Sequence, residues 1–266
     1  MPDPWVIMPV VAHRTYTDAA IASCLAQTVP CRVLVINQGV DTPFRRALES
    51  KAEDSDRLFV WSHQPPLPSL AATWNHGLYF AWECGAAEAL VVNNDVVLAP
   101  NTLELLCAER LRGALLVTGV SVTAQQFQPG QLALQPEGHG GPDFSCFLID
   151  AHCHGHFSFD EGFVPAYCED VDLHRRMLLE KAGHRAYSIN LPFLHHRSTT
   201  IGALDAKERA ALERRVEEGA RAHYRKKWGG NVNEERYVVP FDPESATDHV
   251  TTPELQEAAW ANVQTS

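Results

Sequence analysis

Along the first hundred positions, apolar residues come in short continuous runs. WVIMPVV (5–11), RVLVINQG (32–39) and RLFVWS (57–62) each read as a buried strand of a parallel sheet. The segments between them have helical spacing: DAAIASCLAQT (18–28), PFRRALESKAED (43–54) and SLAATWNHGLYFAWECG (69–85). Pro43 sits near the start of the second helix, and Ser69 is placed to cap the third. A fourth run, ALVVNNDVVLAP (89–100), is split by Asn93, Asn94 and Asp95. Strand–helix alternation through residue 110 predicts an open α/β sheet, mostly parallel and flanked by helices.

The pattern then changes. ALLVTGVSVTAQQFQ (114–128) predicts strands joined by a turn, and FSCFLID (144–150) a further strand. The Pro- and Gly-rich segment from 129 to 143 predicts a mobile loop. EDVDLHRRMLLEKAG (169–183) predicts an amphipathic helix closed by Gly183. HRAYSI and PFLHH (184–196) predict two short strands, and residues 205–228 a long charged helix. The Pro- and Asn-punctuated residues beyond it are expected to wrap the surface.

Composition narrows the class. The 266 residues suffice for one large domain or a domain with an appendage, and 45% hydrophobic residues suit a packed core. A net charge of −11 argues against a nucleic-acid-coating protein, though not against a local basic patch. Seven cysteines without a CxxC pair are expected to be free thiols in a reducing compartment. The start lacks the pattern of a secretory signal, and no run approaches the ~18 apolar residues of a membrane span. A cytoplasmic protein is expected.

Ligands of open α/β sheets bind beyond the carboxyl ends of the strands. Three polar strand ends qualify: Asn37-Gln38, His63 and Asn93-Asn94-Asp95. A tight turn and a metal site explain the third equally well, since Asn and Asp favour turns. In YCEDVDLHRR (167–176), Glu169, Asp170 and Asp172 complement a helix N-terminus, worth roughly 0.3–1 kcal/mol each. Glu169 and Asp172 share a face, whereas Asp170 points elsewhere. His195 and His196 end an apolar strand, as a polar rim or as metal ligands. HCHGH (152–156) is too compact for an ordinary structural zinc site, and Gly155 suggests a turn.

Taken in order, VINQG, WNHGL, VVNND, FDEGFVPAYCEDVDLHRR and LHHRSTT resemble the inverting family-two glycosyltransferases of the GT-A fold, bacterial and phage members included. The resemblance spans roughly residues 5 to 200, and FDEGF…EDVDLHRR is its most specific piece. It implies a GT-A-like domain over 1–200, with a donor half to about 110 and an acceptor half beyond, and a C-terminal helix and tail over 201–266. The family's N-x-G motif matches Asn75-His76-Gly77. Its aspartate-x-aspartate metal motif matches Asn93-Asn94-Asp95, with asparagine in place of the first aspartate. Its acidic base-reading pair is Asn37-Gln38 here. HCHGH falls on a turn of the family.

The resemblance implies metal-dependent inverting transfer of a sugar from a nucleotide sugar, a UDP-sugar by default, to an acceptor hydroxyl on a glycan, a protein or a modified nucleic acid. Asp95 with His195 or His196 would hold Mn2+ or Mg2+, His195 being the first choice. Pro9, Val11, Asn37, Gln38, His63, Asn75, Asn93, Asn94 and Arg197 would contact the donor. Asp143, Phe144 and Asp172 would lie on the acceptor side, and Asp170, with Glu169 beside it, would be the catalytic base. Arg197, Lys226 and Lys227 are further candidates for holding phosphate oxygens. A nucleotidyltransferase is the second reading, weakened because PVVAHRTYTD after the first strand has no glycine. A non-catalytic nucleotide-sugar-binding module is the third.

Overall fold

The computed structural model describes residues 3–128, 142–197, 204–248 and 250–264. It divides into two compact units: Met1–Leu67, Thr73–His156 and Tyr187–Ala203 form the first, and Pro68–Ala72, Phe157–Ala186 and Leu204–Ser266 the second.

The first unit is built on an eight-stranded sheet. Its strands are β1 (Trp5–Val10), β2 (Arg32–Asn37), β3 (Leu58–Ser62), β4 (Glu88–Val92), β5 (Val96–Val97), β6 (Leu116–Val122), β7 (Cys146–Asp150) and β8 (Ala186–His195). They lie in the order β3-β2-β1-β4-β7-β6-β8-β5. β3, β2, β1 and β4 are parallel, as their continuous apolar runs predict. β7 runs antiparallel to β4, β6 antiparallel to β7, and β5 antiparallel to β8. The sheet is therefore mixed, not mostly parallel. An apolar run reports that a strand is buried, not which way it runs.

Helices α1 (Arg14–Leu25), α2 (Thr42–Glu53), α3 (Leu70–Glu83) and α4 (Thr102–Leu111) alternate with the strands. Asp41 accepts from Phe44 N to cap α2, and Ser69 Oγ accepts from Ala72 N at the start of α3. Gly77 carries α3 against the sheet: a Cβ there would lie 2.3 Å from Ile7 Cγ2 and 2.9 Å from Ile36 Cδ1. Val6, Met8, Val33, Val35, Leu90, Val92 and Phe193 form the centre of the core.

Three expectations are corrected here. Residues 114–128 hold one strand, β6. Residues 184–196 hold one strand, β8, not two. Pro192 lies inside β8 without a gap in its ladder to β5, which uses only Leu194 and His195. HCHGH lies in a short helix, α5 (Ala151–His156), because Asp150 Oδ1 accepts from His152 N and Cys153 N. The segment 129–143 lies outside the described residues except for Pro142 and Asp143.

The second unit contains α6 (Glu169–Leu179), α7 (Ala206–Val216), a π-helical segment (Glu217–Arg221), α8 (Ala222–Trp228) and α9 (Thr252–Gln264). Lys181, not Gly183, takes the left-handed conformation after α6, while Gly183 packs against Leu178. Asp205 and Glu208 form the capping box that starts α7. The expected surface-wrapping tail ends in a helix, with Glu254 accepting from Thr251 N at its start. Phe163, Ala220, Tyr224 and Trp228 form this unit's core, with Cys168, Val171 and Leu179 packed against it.

Candidate functional site

Asn93, Asn94 and Asp95 take the turn alternative. They form a turn between β4 and β5, closed by Val96 N donating to Asn93 O at 3.2 Å. The turn also presents a carboxylate. β5 pairs with the end of β8, Val96 facing His195, and His196 N donates to Asp95 O. This register brings His195 Nε2 to 3.3 Å from Asp95 Oδ1. Asp95 is buried and His195 partly so.

That pair suits a divalent cation. Two neighbouring ligands each about 2.1 Å from one ion lie about 3 Å apart, and a carboxylate with an imidazole fits Mn2+. Among the described residues no three His, Cys, Asp or Glu side chains converge. Any further ligands would therefore come from elsewhere, such as water or phosphate oxygens. His196 faces another way, its ring centroid 4.5 Å from that of Tyr16.

The remaining donor-side candidates divide by what their side chains already do. Asn94 Nδ2 donates to Ala12 O at 2.7 Å and to Thr17 Oγ1 at 2.8 Å, which ties the turn to the start of α1. Asn93 N donates to Ser145 O. Asn37 Oδ1 accepts from Gly39 N and Val40 N, and its Nδ2 donates to Ser62 Oγ. Gln38 Oε1 accepts from Leu67 N. These amides shape the loops at the strand ends. Pro9 is buried in β1 opposite Ile36. Val11, half exposed, lines a cavity of about 380 Å3 with His13, Arg14, Gly39 and Asp41, beyond the carboxyl ends of β1 and β2. His63 packs against Trp61 and His76, and Arg197 donates to Ser121 Oγ at 2.7 Å.

Asn75 lies on α3 and is buried. Its Oδ1 is 3.0 Å from His154 Nε2, while Trp82 Nε1 donates to His154 Nδ1. Trp82 can only donate, so the imidazole carries its proton on Nε2 and gives it to Asn75. Burial pushes the His154 pKa down to about 4, which keeps the ring neutral. On the acceptor side, Asp143 Oδ1 accepts from Ser145 N and Ser145 Oγ, and Phe144 packs on Phe147.

The second unit holds the acidic candidates. Tyr167 and Cys168, at φ 80° and 71°, turn the chain sharply into α6. Glu169 then points inward: it is 3% exposed and its Oε2 has no hydrogen-bond partner among the described residues. Burial, with the charge of Asp170 next, pushes its pKa up to about 8. Asp172 is fully buried and committed on both oxygens. Oδ1 accepts from Trp228 Nε1 at 2.9 Å and Lys227 Nζ at 2.8 Å, and Oδ2 from Arg176 Nε at 2.9 Å. Asp170 is the partly exposed member of the three, its Oδ1 accepting from Val171 N at 2.8 Å.

Sequence reasoning missed the anchor of this helix. Lys227, a candidate for phosphate, is buried and spans two carboxylates, with Nζ 2.6 Å from Asp160 Oδ2 as well. His223 Nε2 is 3.0 Å from Asp160, and Gly162 N donates to it. Burial raises the Asp160 pKa, but these donors prevail and hold the carboxyl well below the usual range. The sole signal was the i, i+4 spacing of His223 and Lys227, four residues apart in a segment that otherwise reads as solvated charge.

No family model and no curated protein matches this chain. Solved structures do. The mannosyltransferase PcManGT from Pyrobaculum calidifontis, in complex with GDP-Man and Mn2+, matches over 100% of this chain and 78% of its own at TM-score 0.57 and 14% identity. GalNAc-T7 with UDP, GalNAc and Mn2+ matches over 73% and 43% at TM-score 0.54 and 8% identity. S. aureus TarS residues 1–349 with UDP match over 84% and 72% at TM-score 0.53 and 14% identity. The match spans 35% of the longer S. aureus TarS chain. At these identities the shared property is the fold, a GT-A-like α/β architecture.

Proposed function

We propose that this chain is a metal-dependent, inverting glycosyltransferase that moves a sugar from a nucleoside diphosphate sugar to an acceptor hydroxyl. The observation that carries the reading is the Asp95–His195 pair, a carboxylate and an imidazole 3.3 Å apart at the end of an α/β sheet. PcManGT and GalNAc-T7, which share the fold, hold Mn2+ with a nucleotide or nucleotide sugar.

Asp95 and His195 would hold the divalent cation, which when bound supplies charge that makes the diphosphate a better leaving group. Val11, His13 and Arg14 would line the donor cavity. Asn37, Asn94 and Asn75 would act by fixing backbone and helix positions, because their amides are already engaged. Arg197, exposed beyond β8, is available to phosphate oxygens.

The acceptor oxygen attacks the anomeric carbon as the carbon–phosphate-oxygen bond breaks on the opposite face, which inverts the centre. The hydroxyl proton passes to Asp170. Glu169 is a weaker candidate for that role at neutral pH, because its carboxyl already carries a proton there.

Calorimetric titration with UDP and GDP, each with and without Mn2+, tests the reading. Binding of at least one nucleotide that strengthens with Mn2+ is expected. Binding of neither would overturn it.

A further inference from the structure

The acidic helix is held from the C-terminal run of helices, residues 206–228. α7, the π-helical segment and α8 form one run, and the π segment changes its phase. Gly219 within it lets the run approach Val164 closely, since a Cβ there would lie 2.1 Å from the Val164 carbonyl oxygen. Beyond it, Ala220, Tyr224 and Trp228 face the core, while His223 and Lys227 meet Asp160.

Lys227 therefore joins the two ends of one structure. Asp160 is the second residue of the FDEGF segment, and Asp172 sits in the first turn of α6. A buried carboxylate, Asp172, and a partly buried one, Asp160, around one ammonium attract it and repel each other, so removing the cation sets them against each other. Each carboxylate keeps other donors: His223 and Gly162 N for Asp160, Arg176 and Trp228 for Asp172.

We propose that Lys227 is a positioning residue for the acceptor-activating carboxylate: by bridging Asp160 and Asp172 it fixes the first turn of α6, with Glu169 turned inward and Asp170 outward. This rests on the reading of Asp170 as the base. The C-terminal helix thus takes part in the reaction through α6 without touching substrate.

Cys168 reports on this turn without any substrate. It precedes Glu169 and packs on the cluster around Trp228. Its thiol is pushed up to about 12 by burial, then by Asp170 and Glu169. Cys24 and Cys146 are buried in the first unit, and Cys84 is exposed.

The test is iodoacetamide alkylation of the folded full chain, followed at each cysteine by peptide mass spectrometry, for wild type, Lys227→Met and Lys227→Arg. Lys227→Met should raise the Cys168 rate about tenfold or more, with Cys24 and Cys146 still protected and Cys84 unchanged. Lys227→Arg, which keeps the cation, should recover most of the protection. In parallel, Lys227→Met should slow Mn2+-dependent hydrolysis of UDP-glucose or GDP-mannose, whichever the wild type turns over, about tenfold or more at saturating donor. The donor KM should not move. If Lys227→Met exposes Cys24 and Cys146 as well, Asp160→Asn decides on the same readouts, because it breaks the bridge while the Lys227 ammonium stays paired with Asp172. Cys168 rates within about twofold of wild type in both variants, or hydrolysis unchanged where Cys168 is exposed, would overturn the proposal. Asp170→Asn is run alongside: full hydrolysis there removes the base reading, a result separate from the Cys168 rates.

Discussion

His195 Nε2 lies 3.3 Å from Asp95 Oδ1 because Val96 pairs with His195 across β5 and β8. Backbone pairing, not a helix or a flexible loop, sets the approach. A ligand pair positioned this way loses little entropy when an ion binds, because His195 ends β8 and Asp95 sits in the tight turn directly before β5. Asp95→Ala should therefore abolish the Mn2+-dependent part of nucleotide binding and leave the fold intact. Calorimetry with UDP or GDP and Mn2+, beside a thermal melt, checks it. Unchanged affinity would remove Asp95 from the metal site.

Asp170→Asn should separate chemistry from binding. The substitution is nearly isosteric, and losing one charge near the helix start costs about 0.3–1 kcal/mol. Transfer should fall by about 10²–10⁴-fold with donor affinity almost unchanged. A variant that keeps more than about a tenth of wild-type transfer would show that Asp170 is not the base.

Glu169→Gln should show the opposite character. In the folded protein the Glu169 carboxyl holds its proton to about pH 8, whereas in the unfolded chain it loses it near 4.5. A raised pKa means its share of stability is full below pH 4.5 and drains away as pH climbs towards 8. Glutamine has no proton to lose, so the variant should match wild type at pH 4 and exceed it at pH 7 by up to about 3 kcal/mol. Denaturant melts at the two pH values measure the difference. A gap that does not grow with pH would contradict a buried, neutral Glu169.

His154 makes the protein sensitive on the acid side. Its pKa falls from 6.5 to about 4 on folding, so the unfolded chain takes up a proton first. Stability from this residue is complete above pH 6.5 and is lost as pH drops towards 4, by about 3 kcal/mol in all. His154→Gln should flatten that part of the stability profile. An unaltered profile would mean the ring is already charged in the fold.

Gly77→Ala should destabilise the chain by about 1–3 kcal/mol, because a Cβ at 2.3 Å from Ile7 forces α3 off the sheet. Nothing in helix propensity predicts this, since alanine is the better helix former. A melting temperature at or above wild type would show that the helix has room.

The parallel half of the sheet was legible because β1, β2 and β4 are almost wholly buried and their apolar runs are continuous, and the half-exposed β3 still carries the apolar run LFVW. The antiparallel half was not, since the same signal describes a strand in either direction. Asp95 and His195 stood out as polar residues at strand ends, and only the resemblance favoured a metal-binding role for them; their nearness came from the β5–β8 register, which two residues of strand do not announce. Asn37, Asn75 and Asn94 stood out as polar residues at strand ends and on a helix. Sequence could not tell that their amides would be taken up by Gly39, His154 and Ala12. Lys227 read as a surface cation because its partners, Asp160 and Asp172, lie 67 and 55 positions away in the chain.

Turnover of nucleotide sugars tests the central claim most directly. The full chain would be incubated with a panel of UDP- and GDP-sugars, with Mn2+, Mg2+ or chelator, and released nucleoside diphosphate and sugar followed by mass spectrometry. The account predicts diphosphate release from at least one donor that requires a divalent cation, disappears in Asp95→Ala and is strongly reduced in Asp170→Asn. Nucleotide binding with no turnover of any donor, or turnover indifferent to both the cation and Asp95, would contradict it.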